Sequence, residues 1–390
     1  MTQTSARLLG AASLSSAASA VPARPISITF VMEQHLGHLT FADNLRGSLC
    51  DEPHVHTDWV PISYAATSKW WERIPSEAIR SALRGRNEVV RGLRQHGDAT
   101  AYVFNSQVPA VLGGRASRRR PFVVCMDDTP VLKDSMADDY GHHPDGRVLG
   151  AVKHRWNRRL LHAAAGIAPW SNWVRTSLIE DYGISPQKIL VIPPGVDVAS
   201  WKTSTPSTER VLRILFVGGD FERKGGPLLL EAVRSLDPGT VQLDIVTRSD
   251  VAAEPGVDVH RGLSHGDDKL RDLFVRSDVF VLVSSSEMFG IAAVEAAAAG
   301  LPCIVTRVGG LADLVVEGET GYAIDVGDAA GLTDRLRRLR DDPDLRLRMG
   351  AAARARAESD FDATTNARRL VNFVRRVSDP AAAERGSGAA

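Results

Sequence analysis

The chain has 390 residues, more than a single hydrophobic core usually serves, so two domains are expected. Hydrophobic residues at 44% and charged residues at 24% describe a globular chain rather than a disordered one. Lys+Arg and Asp+Glu each number 47, which leaves no net field to draw nucleic acid, and no apolar run approaches the roughly 20 residues of a membrane span.

In chain order, residues 1–24 are rich in Ala and Ser. They read as a disordered leader rather than a secretory signal, because the would-be apolar stretch is mostly Ala, Ser and Gly. The first half offers strands at 26–31, 101–104, 121–126 and 166–169, with helices at 75–92 and 146–165 between them. A polar linker at 203–209 follows. The second half alternates more cleanly: strand 211–217, helix 226–235, strand 241–246, helix 267–275, strand 278–283, helix 290–299, strand 302–306. An Arg-rich helix begins near 344, a last helix covers 364–377, and the tail at 379–390 is expected to be disordered. Strands alternating with helices imply parallel, doubly wound sheets with right-handed crossovers. The expected division is an N-terminal α/β domain at 25–200, a second at 201–363, and a terminal helix at 364–378. Cys50, Cys125 and Cys303 are scattered without metal spacing, which suits reduced thiols in a cytoplasmic protein.

The chemistry gathers at strand ends. The run DVFVLVSSSEMFGIAAVE at 278–295 is a continuous apolar strand, a turn at Phe289-Gly290, and an Ala-rich helix whose free N–H groups form an anion site. Glu287 precedes that helix and Glu295 lies inside it, so a ligand across its start meets amides for phosphate and carboxylates for hydroxyls. Upstream, FVGGDFERKGG at 216–226 sets Gly218, Gly219, Arg223 and Lys224 beside another strand end. Phosphate plus many hydroxyls describes a nucleotide sugar. Each residue alone has a plainer reading: Glu287 as a partner for the helix dipole, Glu295 as a surface glutamate, Gly218-Gly219 as an ordinary tight turn. Their common position at strand-to-helix turns favours the ligand, because open α/β sheets bind there.

These residues resemble glycosyltransferase family 4, retaining enzymes of the GT-B fold. The resemblance is carried by Glu287 and Glu295 flanking Phe289-Gly290, by the 216–226 run, by PPGVD at 193–197, and by VGG at 308–310 followed by GETG at 318–321. It implies two Rossmann-like domains facing across a cleft and transfer from a nucleotide-diphosphate sugar with retention. It implies no metal and no protein nucleophile. Glu287, Asp127 and Lys224 are its catalytic candidates. Glu295 would take the ribose; Phe289, Gly290 and Ile291 the donor sugar and diphosphate; Arg261 and Gly262 would lie by the nucleobase. Gly219 stands where the family keeps an arginine, so Arg223 is the expected substitute. On the acceptor side the resemblance points to Gly37 and His38 after the first strand. Asn105, Asp127 and Asp128 follow later strands, with Asp127 where many members have a histidine.

The implied partners are a nucleotide-sugar donor and a sugar, lipid-linked or small-molecule acceptor, with at most peripheral membrane contact. Arg115 and Arg118–Arg120 read as a solvated loop, since no apolar face accompanies them. Asp127-Asp128, and His54 with His56, lack a third ligand at metal-binding spacing. Two rivals remain: a sugar-nucleotide epimerase of the same fold, and a non-catalytic nucleotide-sugar-binding protein.

Overall fold

The computed structural model describes residues 25–34, 36–66, 69–141, 146–204 and 211–379. The leader at 1–24, the linker from 205 onward and the tail beyond 379 lie outside the described residues. The first domain is a parallel sheet of β1 (Ile26–Glu33), β2 (Val55–Ile62), β3 (Ala101–Phe104), β4 (Phe122–Met126) and β5 (Gly166–Pro169), in the order β2-β1-β3-β4-β5. Around it lie α1 (Leu36–Leu49), α2 (Glu77–Gln95), α3 (Gln107–Gly113), α4 (Pro130–Ser135), α5 (Arg147–Ala163) and α6 (Asn172–Glu180).

The second sheet is also parallel, built from β6 (Leu212–Val217), β7 (Val241–Val246), β8 (Val257–His260), β9 (Val279–Leu282), β10 (Cys303–Thr306) and β11 (Gly321–Ile324). Its order is β11-β10-β9-β6-β7-β8. The helices are α7 (Gly226–Arg234), α8 (Asp268–Arg276), α9 (Ile291–Ala298), α10 (Ala329–Asp341), α11 (Pro343–Asp360) and α12 (Ala363–Ser378). Strands β3, β4, β9 and β10 are buried at every position, as strands covered by helices on both faces must be.

Several elements escape the sequence reading, among them β2, α1 and β11. Strand β2 contains Asp58 and Pro61, which blur its alternation; it tolerates both as an edge strand. Helix α1 carries Gly37 and Gly47, so Gly37 and His38 stand in a helix's first turn rather than in a loop. Strand β11 has four residues after a turn and presents too short a pattern.

The PPGVD segment is where the chain crosses between domains twice. Val196 N–H donates to Phe361 O at 2.9 Å, and Ala363 N–H returns to Val196 O at 2.9 Å. From there α12 runs back onto α1 and β5, with Phe373 against Gly166. The mutual approach of the domains is further marked by Trp170, whose ring lies 5.8 Å from Phe289 in the second domain and 5.4 Å from His38 in the first.

Candidate functional site

The donor half is built on the carboxyl ends of β6, β7 and β9. After β9 the chain turns through Ser284–Gly290 and enters α9 from Gly290, whose φ of +92° is left-handed backbone that a side chain would strain. The turn is held from below. Thr306 Oγ1 donates to Ser284 O at 2.7 Å and Gly310 N–H to Met288 O at 3.0 Å, which gives the 308–310 glycines a structural task. Glu287 and Glu295 are both buried. Glu287 pairs with the Lys224 ammonium, and Ser284 Oγ also approaches it. Glu295 Oε1 lies 2.7 Å from His265 Nδ1, and that carboxylate raises the His265 pKa from its ordinary value.

Gly218 and Gly219 end β6, as the sequence placed them. The Lys224 stem packs over Gly218, and a methyl group added at Gly219 would lie 2.9 Å from Nε and Nη2 of Arg248. The absent side chain at 219 therefore makes room for a guanidinium arriving from the end of β7. No carboxylate pairs with Arg248 among the described residues. Arg223, the expected substitute, is otherwise engaged: it donates to Ser286 O at 3.0 Å and stacks 4.4 Å over the Tyr140 ring from the first domain. Arg261 and Gly262 stand outside this group, since Arg261 pairs with Asp250 and donates to Val251 O. His265, further along the same loop, reaches Glu295 instead.

The acceptor half is the end of β1, β3 and β4. Gly37 opens α1 directly opposite α9: a methyl added there would meet Ile291 Cδ1 at 3.6 Å. His38 Nε2 lies 3.6 Å from Asp127 Oδ1, so two candidates far apart in sequence become neighbours. Asp128 accepts from Gln107 Nε2 at 3.3 Å, and burial, reinforced by the Asp127 charge, pushes its pKa up to about 6. Asn105 does not reach the cleft. Its Oδ1 accepts from Glu33 N–H at 2.8 Å and its Nδ2 donates to Glu33 O at 3.2 Å, so it fixes the end of β1. Glu33 in turn accepts from Tyr64 and Ser106 hydroxyls. A cavity of about 630 Å³ joins Glu33, His38, Gln107, Asp127 and Lys133 with Met288, the second-domain residue that follows Glu287 in the chain.

Sequence reasoning missed Arg248, His265 and Tyr140, while Glu33 and Gln107 fall in runs after strands that it expected at the cleft. Arg248 stands just past a strand end, the signal that found the others. His265 and Tyr140 lie in loops whose course only the fold determines. Among the described residues, no group of three or more His, Cys, Asp or Glu is placed to hold a metal ion.

Two Rossmann-like domains with a site on the facing carboxyl ends of both sheets define a GT-B glycosyltransferase. Sucrose-phosphate synthase from Thermosynechococcus elongatus has the same fold, with a TM-score of 0.72 at 18% identity over 90% of this chain and 99% of its own. Anabaena HepE in complex with UDP-glucose superposes with a TM-score of 0.66 at 17% identity, over 90% of this chain and 99% of its own. The family model Glycosyltransferase Family 4 matches residues 43–200, and Glycosyl transferases group 1 matches residues 197–356. A D-inositol 3-phosphate glycosyltransferase of Arthrobacter sp. (strain FB24) is 32% identical over 315 residues, 73% of each chain. A glycogen synthase of Mycobacterium tuberculosis is 33% identical over 252 residues, 60% of each chain. The chain belongs to glycosyltransferase family 4.

Proposed function

We propose that the chain transfers a sugar from a nucleotide-diphosphate donor to a hydroxyl acceptor, with retention at the anomeric carbon. The observation that carries this reading is the pair of cations at the Gly218-Gly219 turn, Lys224 over Gly218 and Arg248 over Gly219, with Lys224 also reaching Glu287 in the turn that leads into α9. The diphosphate lies among these cations and the α9 amides, which offset the charge that grows on the leaving group. Its negative charge draws Lys224 away from Glu287, and the freed carboxylate accepts from a donor-sugar hydroxyl. Glu295 and His265 hold the ribose. The acceptor enters the cavity beside Asp127 and His38, on the same side as Met288, and the leaving phosphate accepts its proton. No divalent cation takes part, so turnover should survive chelation by EDTA. The HepE complex with UDP-glucose and the relatives named for sugar transfer support the donor class.

A lipid-linked acceptor is favoured by α5. It presents Val148, Leu149, Val152 and Trp156 to solvent on one side, with Trp156 56% exposed. Five Lys or Arg and no Asp or Glu occupy this helix. Such a surface suits an anionic bilayer interface. Among the described residues, no helix is long and apolar enough to cross a membrane.

The test is a panel of UDP-, GDP- and ADP-sugars with candidate acceptors, reading nucleoside diphosphate release and the anomeric configuration of the product by NMR. An α-linked product from an α-linked donor supports the reading. Inversion, or interconversion of the donor without transfer, overturns it, the latter in favour of an epimerase.

A further inference from the structure

The cavity of about 630 Å³ beside Asp127 has an unusual balance of hydrogen-bonding groups. Its lining holds three carboxyl groups, Glu33, Asp127 and Asp128, against one cation among the described residues, Lys133. Glu33 is already supplied with donors by Tyr64 and Ser106. Gln107 is only 7% exposed, and its Nε2 donation to Asp128 fixes which way the amide faces. Its Oε1 is buried without a hydrogen-bond partner, at a desolvation cost. His38 Nδ1 is likewise without a partner, while its Nε2 faces Asp127. The charged groups on the lining are therefore mainly acceptors, Asp127 and Asp128 beside Glu33, against the Lys133 ammonium as the one charged donor among the described residues. A phosphate placed here would oppose three carboxyl groups with a single lysine to meet it.

Resting on the reading that the acceptor enters this cavity, we infer that the acceptor moiety bound here is a sugar or cyclitol rich in hydroxyl or amine donors and carrying no phosphate. An ammonium between Asp127 and Asp128 also relieves their mutual repulsion, so an amino sugar binds more tightly than its hydroxyl counterpart. The burial that raises the Asp128 pKa to about 6 still leaves it mostly ionised at neutral pH, where a donor is needed.

Titrating glucose, glucosamine and glucosamine 6-phosphate into the full chain, with binding followed by saturation-transfer NMR, tests this. Glucosamine should bind about tenfold more tightly than its phosphate, and Asp128→Asn should erase the preference for glucosamine over glucose while leaving glucose bound. A phosphate ester that binds as well as the free sugar overturns the inference, as does binding of none of the three. Nucleoside diphosphate binding, read in the same samples, reports on the donor site separately. Its absence alongside the expected sugar selectivity would overturn the donor reading and not this one.

Discussion

Lys224 and Glu287 meet in the cleft as a largely buried pair, and breaking such a pair differs from removing a surface charge. Lys224→Ala leaves Glu287 buried without its counter-ion, so it should weaken nucleoside diphosphate binding and also lower stability, the latter by on the order of 3 kcal/mol. The double variant Lys224→Met with Glu287→Gln should recover the melting temperature and not the affinity. Calorimetry and thermal unfolding of the two variants separate these effects; stability lost equally in both would mean the pair is not what holds this corner. Asp128 gives a second expectation at this scale. Its folded pKa, about 6, lies above the ordinary carboxyl value, so the folded chain holds a proton that the unfolded chain has released between about pH 4 and 6. The stability this proton contributes is full below that window and is lost as pH rises through it. Asp128→Asn should flatten the stability profile between pH 4 and 6, while an unchanged profile would place the titration elsewhere. Glu287, Glu295 and Lys224 were legible because each sits in a short motif beside a strand end. Arg248 was not: its place over Gly219 depends on β6 and β7 being neighbours, which a single sequence does not state.

The same boundary between local and non-local information holds for the elements. Strand β9 and helix α9 are readable as an apolar run followed by alanines, and both form within a residue of the expected limits. Strand β2 and helix α1 are not, because an edge strand with proline and a helix with two glycines weaken the periodic signal that their neighbours in space make unnecessary. The junction between β9 and α9 is the element-level support of the donor site. Gly290 holds a left-handed conformation there, and a methyl group would also lie 2.7 Å from Leu311 Cδ1. Gly290→Ala should cost at least about 1–2 kcal/mol in thermal unfolding from the backbone alone. It should also lower nucleotide affinity by tilting the α9 amides. A variant as stable as the parent would show that this backbone conformation is not required.

Across the whole molecule, the two sheets are joined by the PPGVD crossing, by α12, and by a few contacts at the cleft. Arg223 stacks on Tyr140, Ser285 Oγ donates to Asp139 Oδ1 at 3.2 Å, and Trp170 spans from His38 to Phe289. Interfaces between domains of one chain commonly allow the domains to move apart. We expect the chain without nucleotide to sample a more open form, and nucleoside diphosphate to draw its domains together as described here while Lys224 turns from Glu287 to the ligand, excluding water from the donor. The radius of gyration from solution scattering should then fall on saturation with ligand; an identical profile with and without ligand would count against closure. The central claim remains that a diphosphate sits between Lys224, Arg248 and the start of α9. It is tested most directly by calorimetric titration of UDP, GDP and ADP into the parent chain and into Arg248→Ala. The account predicts that at least one nucleotide binds the parent and that the variant loses about 1.5–3 kcal/mol of that affinity with its fold intact. No binding by any of the three, or equal affinity in parent and variant, would contradict it.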